Sequence, residues 1–277
     1  MADAEVTPFE RLLVVPLRAG INVPSRDRGT GVKLVNMGEL FAYDRIGAVP
    51  MELAPLPDGE PGKFLLEEGD LLFARQSLTR AGAGKCSLVL KDLEPRTWEG
   101  HLIRARLNRS VAEPEYFYYW FRSPVGRAAI ESIVEQVAAA GIRGSDLARL
   151  PVPVPTVAEQ RAIAGVLGVL DDKIESNRRL AATARELGAA QLSSRMLRET
   201  REGVLGDFVS SIARGVAPRY ADDDVSASTV LNQRCIRGGR VDLAAARRME
   251  SRTLSPERVA KRGDVLVNST GGCPASC

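Results

Sequence analysis

The segment of this chain that comes nearest to a ligand-binding motif is the glycine-rich stretch Arg80–Ser87. A phosphate-binding loop has the pattern G-x-x-x-x-G-K-[ST] and is followed by a helix whose N-terminus faces the phosphate. Here Thr79 stands where the first glycine is required, and Cys86 stands where serine or threonine is required. The apolar residues that follow predict a strand instead of a helix. We therefore do not expect nucleotide binding in this segment.

The same region is basic and polar, which suits contact with DNA. Arginine and lysine bind phosphates, and arginine and glutamine also read base edges in the major groove. We expect a flexible basic loop after a strand, with an ordinary solvated loop as the alternative. The residues predicted to contact DNA are Arg75, Gln76, Ser77, Arg80, Lys85 and Arg143.

No group of residues predicts catalysis or metal binding. The single histidine, His101, lies in an apolar stretch beside Trp98 and is predicted to be structural. Cys273 and Cys277 have no two further ligands nearby, so a zinc site is not predicted. The aromatic run Tyr116–Phe121 could stack on bases, but its dense spacing on a predicted helix favours a core. We expect a non-catalytic chain that binds no metal and no cofactor.

Composition and charge permit nucleic-acid binding without requiring it. The 277 residues are 44% hydrophobic, enough for more than one core. No apolar run approaches the roughly 20 residues of a membrane span, and the N-terminus does not resemble a signal peptide, so we expect a cytoplasmic protein. The net charge is +3, and arginine outnumbers lysine by about five to one. That excess suits phosphate and guanine recognition, although a G+C-rich genome would produce the same bias.

The chain before residue 150 predicts a mixed α/β (α+β) domain. Helices are predicted over Pro114–Phe121 and Val125–Val137, and a loop over 141–144 precedes a short segment at 145–150. Strands are predicted at Val32–Val35, Lys63–Leu66, Asp70–Ala74, Ser87–Leu90 and His101–Leu107.

A proline-rich strap, Leu150–Pro155, leads into a predicted helix that ends near Leu197. The strap must be extended, because each proline lacks an N–H and biases the preceding residue toward extended geometry. Thr156 and Glu159 then form a capping box. A helix of this length, far above the average of about a dozen residues, predicts a ruler or a dimer strut.

This helix carries an apolar seam at spacings of three and four residues, which predicts pairing with a second helix. Asn177 on the seam is of the type that fixes register and partner number. Gly165, Gly168 and Gly188 weaken an isolated helix, so a partner is expected, with packing on its own domain as the alternative. The residues predicted to pair are Ile163, Leu167, Leu170, Ile174, Asn177, Ala181 and Ala184.

After Arg201 the beginning of the chain recurs. The offsets between matching residues stay between 194 and 196, and this constant register predicts a duplication. The second copy ends near Gly271, so we expect it to be incomplete. The matching segments are Gly20 to Pro24 with Gly215 to Pro218, Leu34–Asn36 with Val230–Asn232, and Gly69–Phe73 with Gly263–Val267.

The stretch Leu150–Ala164, with Leu170–Glu175 and Asn177–Leu180, resembles the central conserved region of specificity subunits of Type I restriction–modification systems. Three other segments are similar to the opening of that family's target-recognition domains. They are Leu205–Phe208, Gly215–Pro218 and Gly263–Gly271.

The resemblance implies a non-catalytic subunit in which two target-recognition domains each read half of a bipartite site in double-stranded DNA. Two long helices pair antiparallel and set the distance between the halves. Separate modification and restriction subunits methylate and cleave the DNA, using S-adenosylmethionine, ATP and Mg²⁺. On this basis residues 1–155 are the first target-recognition domain, 156–200 the central coiled-coil-type helix, and 201–277 the truncated start of the second domain.

This organisation leaves the central helix without a partner in its own chain. We therefore predict a homodimer through the long helix, with a preference for a palindromic, interrupted target, because site symmetry mirrors protein symmetry. Two alternatives are a non-functional truncated remnant and a stand-alone DNA-binding regulatory protein.

Overall fold

The computed structural model describes residues 5–136, 140–199, 203–221, 227–237, 239–250 and 256–267. The chain forms two compact units, Met1–Gly188 and Ala189–Cys277, with the division inside the long helix. The division into a first domain, a helix and a second domain at residues 155 and 200 stays a prediction. Within the described residues, no helix is long and apolar enough to cross a membrane.

The first unit is a mixed α/β domain followed by a long helix, which confirms the predicted fold class. Its described strands, β1 to β13 in chain order, are Glu5–Pro8, Leu13–Ala19, Val32–Val35, Arg45–Ile46, Glu52–Ala54, Leu71–Ala74, Gln76–Ser77, Cys86–Val89, Arg96–Trp98, Leu102–Leu107, Glu135–Gln136, Ala140–Gly141 and Pro151–Val154. The helices, α1 to α5, are Met37–Ala42, Pro114–Arg122, Pro124–Ser132, Gly144–Arg149 and Val157–Glu199.

A five-stranded sheet in the order β2-β10-β6-β8-β4 forms the centre of the first unit. Its strand pairs are antiparallel except for β4 with β8. Strand β6 is buried along its whole length, because alternate side chains enter a core on each face of the sheet. Leu71 and Phe73 enter one core, whereas Leu72 and Ala74 enter the other.

Aromatic side chains dominate the first core, against which α2 and α3 pack. Phe73 of β6 meets Phe121 of α2 edge to face, with ring centroids 4.9 Å apart, and Phe9 lies 5.0 Å from Phe121. Each such pair adds about 0.5–1.5 kcal/mol beyond the burial of its area. Phe117, Tyr118 and Phe121 are all buried, so the prediction that this aromatic run is core is confirmed.

On the opposite face of the central sheet lie α1 and a three-stranded sheet in the order β5-β3-β9. Trp98 of β9 is fully buried there, and its indole Nε1 donates to the Arg18 carbonyl at 3.3 Å. Phe64 packs beside Trp98, with ring centroids 6.2 Å apart. The central sheet is thus covered on both faces.

The proline-rich strap forms strand β13, which pairs antiparallel with β1. Val6 lies opposite Pro153, and Pro8 lies opposite Pro151. Prolines are tolerated because the ribbon has two strands only, so each strand is an edge. The strap is extended, as predicted, and it ties the beginning of the chain to the start of α5.

Two predicted elements are wrong. Lys63–Leu66 is not a strand, because Pro61–Phe64 forms a 3₁₀ turn, for which proline at the first helical position is well suited. The helix predicted over Val125–Val137 ends at Ser132, because the chain then pairs as β11 with β12. Val137 lies outside the described residues.

The segment predicted as a loop over 141–144 is shared between two elements. Gly141 belongs to β12, and Gly144 begins α4. The loop prediction therefore holds only for Ile142 and Arg143, because Gly141 pairs within a strand and Gly144 is the first residue of a helix.

Helix α5 has 43 residues and confirms the predicted long helix. The predicted capping box is present: the Thr156 N–H donates to the Glu159 carboxylate at 2.9 Å, and the Glu159 N–H donates to Thr156 Oγ1 at 3.3 Å. The hydrogen bonds from Thr156 hold the pKa of the Glu159 carboxyl below its ordinary value. At 1.5 Å per residue the helix is roughly 65 Å long.

The second unit is described in shorter pieces. Its described strands, β14 to β17, are Ser228–Val230, Ile236–Arg237, Arg240–Val241 and Arg247–Met249. Strand β14 pairs antiparallel with β17, and β15 pairs antiparallel with β16. The end of the predicted second copy, residues 268–271, lies outside the described residues.

The strand pairing of the first unit recurs in the second. In the first unit Leu34 of β3 lies opposite Glu52 of β5. In the second unit Val230 of β14, which corresponds to Leu34, lies opposite Arg247 of β17 in an antiparallel pair of the same kind.

A turn recurs in the same way. Gly69 and Gly263 both have positive φ, +90° and +100°, and each precedes an aspartate. The carboxylates of Asp70 and Asp264 each accept the N–H of the residue three positions earlier, at 2.8 Å in both cases. The repeat is therefore structural as well as sequential.

Candidate nucleic-acid interface

Most of the residues predicted to contact DNA lie together on the small three-stranded sheet β11-β12-β7 and the turn that follows β7. Gln76 of β7 lies opposite Gly141 of β12. The Ile142 N–H donates to the Arg75 carbonyl at 2.9 Å, so Arg143 is the residue after the one paired with Arg75. The predicted residues that lie on or next to this sheet are Arg75, Gln76, Ser77 and Arg143.

The turn after β7 is held by specific hydrogen bonds. The Thr79 N–H donates to Ser77 Oγ at 3.2 Å, and Thr79 Oγ1 accepts the Gly82 N–H at 3.2 Å. From α3, the Arg127 guanidinium donates to the Ala81 carbonyl at 3.1 Å. The segment predicted as a flexible loop is therefore a short strand and a hydrogen-bonded turn.

At the apex of this turn Leu78 is 100% exposed. Single exposed leucines are common on protein surfaces, but this one stands on a fixed turn between Arg75 and Arg80. An apolar side chain in such a position can contact the methyl group of thymine. Sequence reasoning missed Leu78 because it considered polar and charged side chains only.

The charged residues of this edge differ in how freely they can meet an anion. Arg75 is exposed. Arg143 pairs with Glu135 at 2.8 Å, and both side chains are at least half exposed. Exposed pairs contribute little, so a phosphate can compete for Arg143. Arg80 donates to the Glu131 carbonyl at 3.1 Å, which orients its guanidinium along α3.

Lys85 has partners inside the domain. Its ammonium donates to the Phe41 carbonyl at 2.9 Å and lies 3.2 Å from the Asp44 carboxylate. Burial raises the pKa of Asp44, but hydrogen bonds from Arg122 and Lys85 outweigh burial and hold that pKa below its ordinary value. Lys85 thus braces the end of α1.

The glycine-rich stretch serves packing. Gly84 has a φ of +65°, and a Cβ at this position would lie 2.4 Å from Cγ2 of Ile130. Strand β8 follows the stretch, as predicted, and Cys86 within it is buried. Burial raises the pKa of the Cys86 thiol. The backbone of this segment is therefore shaped for contact with α3.

Gln160 anchors the first turn of α5 in the domain. The side chain is fully buried; Oε1 accepts the Glu113 N–H at 2.7 Å, and Nε2 donates to the carbonyls of Val111 and Pro155 at 3.1 and 2.8 Å. Both polar atoms of the amide are satisfied, which avoids a desolvation cost of about 1–3 kcal/mol. Sequence reasoning missed this role, because a glutamine in the first turn of a helix is usually solvated.

About three turns further along, α5 touches the domain through acidic residues. The Tyr119 hydroxyl donates to Asp171 at 3.0 Å, and Arg45 pairs with Asp172 at 2.6 Å. Burial and the Asp171 carboxylate raise the pKa of Tyr119. Leu167, which was predicted to pair with another helix, is half-buried one turn before Asp171. For this part of the helix the alternative of packing on its own domain applies.

Beyond that contact the apolar seam is uncovered in the described part of the chain. Every residue from Asp172 to Gly188 is exposed. A helix normally turns its apolar stripe toward a core, so this exposure is unusual. Ile163, Leu170 and Ile174 are 42%, 55% and 47% exposed. The remaining residues predicted to pair are exposed as well, and they are Asn177, Ala181 and Ala184.

Comparison with known proteins relates the chain to a known family. It is 31% identical over 158 residues to the Type I restriction enzyme EcoKI specificity subunit of Escherichia coli (strain K12). This chain is related in sequence to that specificity subunit. The match covers 56% of this chain and 33% of the relative, so the chain spans about one third of the length of that relative. No protein-family profile matches the chain. The resemblance expected from the sequence motifs is confirmed.

Several solved structures overlap the fold in part. A chain of a type I R-M system is 15% identical, with a TM-score of 0.48, covering 70% of this chain and 45% of that chain. The HsdS subunit from Thermoanaerobacter tengcongensis is 19% identical, with a TM-score of 0.46, covering 71% and 49%. The Type-I restriction-modification system S subunit from M. genitalium is 20% identical, with a TM-score of 0.45, covering 68% and 44%.

Metal-ligating side chains do not cluster in the part of this chain that the structure describes. No three histidine, cysteine, aspartate or glutamate side chains there are grouped so that they could hold a metal ion. His101 precedes β10 and its side chain is 57% exposed, so the prediction that it lies within an apolar strand is wrong. Cys273 and Cys277 lie outside the described residues.

Proposed function

We propose that this chain is the DNA-recognition subunit of a Type I restriction–modification complex. It would bind a specific sequence in double-stranded DNA and direct methylation and cleavage by separate subunits. The observation that carries the proposal is the α/β domain followed by a largely uncovered 43-residue helix, in a chain related to a specificity subunit. A compact DNA-binding domain joined to a long helix suits a protein that recognises two sequences separated by a fixed distance.

The DNA-facing surface of this proposal is the edge formed by β7, its turn and the residues after β12. Arg75 and Arg143 supply charge for phosphates, Gln76 can bond adenine through its amide, and Leu78 supplies an apolar contact. Arg80 and Ser77 flank the same turn. Lys85 supports the surface from behind through Phe41 and Asp44.

Catalysis in this proposal belongs to the partner subunits. The modification subunit would use S-adenosylmethionine, and the restriction subunit would use ATP and Mg²⁺. The contribution of this chain is selection of the site, which requires rigid placement of the reading edge. The hydrogen-bonded turn and the Arg127 clamp provide that rigidity.

The long helix would pair with a second copy of this chain. Exposed apolar side chains recur along it, at Leu170, Ile174, Leu180 and Leu187. Two copies related by a two-fold axis would place two reading edges on one duplex, which favours a palindromic, interrupted site. A dimer of this kind buries the seam that the described residues leave open.

Selection of DNA from a random duplex pool tests the recognition proposal. The full chain, with and without its cognate modification subunit, should enrich one sequence. Gln76→Ala should weaken binding to that sequence by about 1–3 kcal/mol, whereas Arg26→Ala, at an exposed arginine outside the reading edge, should not. Enrichment only without the modification subunit favours the stand-alone regulator, and no enrichment in either case defeats the proposal.

Sedimentation equilibrium tests the homodimer. The wild-type chain should be a dimer at tens of micromolar, and the double substitution Leu170→Glu with Ile174→Glu should be a monomer, because it places charges in the seam. Glu186→Gln, at an exposed position of the same helix, serves as the control and should stay dimeric. A wild-type monomer across this range rules out self-association through α5.

A further inference from the structure

Strand β10 carries a buried guanidinium that forms no ion pair with any described residue. Arg104 is 4% exposed, and within the described part of the chain its Nε has no hydrogen-bond partner. Burial lowers the pKa of Arg104, yet an arginine stays protonated in proteins. Buried charges are costly and are normally paired, so an anion close to the Arg104 guanidinium is expected.

The two carboxylates nearest to Arg104 are already bound by Arg106. Arg106 donates from Nε and Nη2 to the two oxygens of Asp70, at 2.8 Å each, and it also pairs with Glu67. A bidentate arrangement of this kind is among the strongest ion pairs in proteins. Asp70 and Glu67 are therefore committed, and neither forms an ion pair with Arg104.

Arg18 repeats the arrangement on the neighbouring strand. It lies opposite Arg104 in the pairing of β2 with β10. The Arg18 guanidinium lies 5.2 Å from the Phe64 ring centre, and the Arg104 guanidinium lies 5.3 Å from the Trp98 ring centre. Among the described residues Arg18 likewise has no carboxylate partner. Two cations thus stand side by side, each backed by an aromatic ring.

This geometry suits an oxyanion. A ring under a guanidinium fixes its plane and leaves the N–H groups at its edge free to donate to oxygen. Two neighbouring cations also repel each other unless an anion lies between them. A cleft of about 450 Å³ lies near the pair: Phe64, which packs on the Arg18 guanidinium, and Gly20, two residues after Arg18, are among its lining residues. We propose that Arg18 and Arg104 form a binding site for an oxyanion of the phosphate class.

The oxyanion could come from two sources with the same chemistry. One is a backbone phosphate of DNA, and in that case the site rests on the proposed function and deepens it. The other is free phosphate, which would act independently of DNA. Separate measurements distinguish the two sources.

Thermal unfolding of the full chain in sodium phosphate, against sodium chloride of equal ionic strength, tests the site itself. Phosphate should raise the melting temperature of the wild type increasingly with concentration, because a ligand that binds only the folded state stabilises it. Arg18→Met and Arg104→Met should lose this response, and Arg26→Met, at an exposed arginine, should keep it. In chloride, Arg104→Met should melt no lower than the wild type, since it removes a buried unpaired charge.

Equal responses to phosphate and chloride in the wild type overturn the site, as does a full phosphate response in Arg18→Met. Arg18 is half-buried, so its variant keeps the test decisive even where Arg104→Met fails to fold. The thermal test requires no DNA and is therefore independent of the proposed function.

The salt dependence of DNA binding identifies the source. If a backbone phosphate occupies the site, the slope of log K against log salt should fall by about 1 in Arg18→Met and stay unchanged in Arg26→Met. An unchanged slope together with a lost phosphate response assigns the site to free phosphate. If phosphate raises the melting temperature but the chain selects no DNA sequence, the oxyanion site stands and the proposed function is wrong. If the chain selects DNA normally but shows no phosphate response and an unchanged slope, the proposed function stands and the oxyanion site is wrong.

Discussion

The two copies of the sequence repeat share a turn but differ in what surrounds it. Asp70 and Asp264 cap their turns with the same 2.8 Å hydrogen bond. Asp70 is 1% exposed and bound by Arg106, which lies 36 residues later, whereas Asp264 is exposed. The Gly-Asp pair therefore encodes the shape of the turn, and residues distant in sequence decide whether the turn is buried.

The strand pairs of the two copies teach the same lesson. Leu34 and Val35 of strand β3 are buried, each in a different core, and Val35 shares its core with Trp98. In the second copy the corresponding residues, Val230 and Leu231, are only half-buried. Register and hydrogen bonds are set within a short stretch of chain, because they depend on the local pattern. Burial depends on strands that are distant in sequence, such as β10, which carries Arg106.

The largest expected effect separates the two aspartates. Asp70→Ala leaves Arg106 partly buried without its main counter-charge, and should lower the free energy of unfolding by about 3–5 kcal/mol. Asp264→Ala should leave that transition unchanged. Urea unfolding followed by tryptophan fluorescence measures the first unit, because both tryptophans, Trp98 and Trp120, lie in it. Equal losses in the two variants would show that the copies depend on each other.

A smaller effect is expected at the glycines before the aspartates. An alanine at either position is strained by its positive φ, at a cost of roughly 1–2 kcal/mol. A Cβ at Gly69 would also lie 2.5 Å from the guanidinium of Arg109, whereas Gly263 has open space around it. Gly69→Ala should therefore lower the urea midpoint of the fluorescence transition. Gly263→Ala should only speed amide hydrogen exchange at its own turn, and a shift of the fluorescence transition would contradict this expectation.

The smallest effect concerns the caps that follow the matching strands β3 and β14. The Asn36 N–H donates to the Glu39 carboxylate at 2.9 Å, whereas the Asn232 N–H donates to the sulfur of Cys235 at 3.4 Å. Glu39→Ala should lower the stability of the first unit by about 1 kcal/mol, and Glu39→Gln should retain most of it, because the amide oxygen still accepts. The same fluorescence transition measures both variants. We expect a carboxylate cap to stabilise its turn more than a thiol cap does. If Glu39→Ala left the free energy of unfolding unchanged, the two caps would not differ in strength.

Local signals in the sequence were sufficient for the elements that local physics determines. The capping box at Thr156, the length of α5 and the aromatic core helix all follow from spacing and residue type. Strand β2 escaped prediction because Pro16 and Arg18 interrupt its apolar pattern. It forms a strand nonetheless, since it lies at the edge of the central sheet, where proline is tolerated. The 3₁₀ turn at Pro61–Phe64 shows the reverse case, in which apolar residues suggest a strand that no neighbour pairs.

The candidate interface was predictable as a set of residue types and not as an arrangement. Arg75 and Arg143 were both identified, but only the pairing of β7 with β12 brings their two segments together. Arg127 and Gln160 were missed because each acts on backbone carbonyls far away in sequence, 46 and 49 residues distant. A side chain whose partners are main-chain atoms leaves no pattern of its own in a sequence.

The ribbon of β1 and β13 gives the first residues of the chain a mechanical role. A long helix is a lever, and a sideways force at its far end is multiplied at its root. The hydrogen bonds across the ribbon carry that force from the strap into Glu5–Pro8, and the bond from the Phe9 N–H to the Leu150 carbonyl carries it into the aromatic core. The stiffness of the attachment between the long helix and the domain therefore depends on Glu5–Pro8, which lie far from the helix in sequence. A bulky tag fused close to Glu5 would therefore weaken the attachment of the long helix, and it would leave the edge formed by β7 and its turn unchanged.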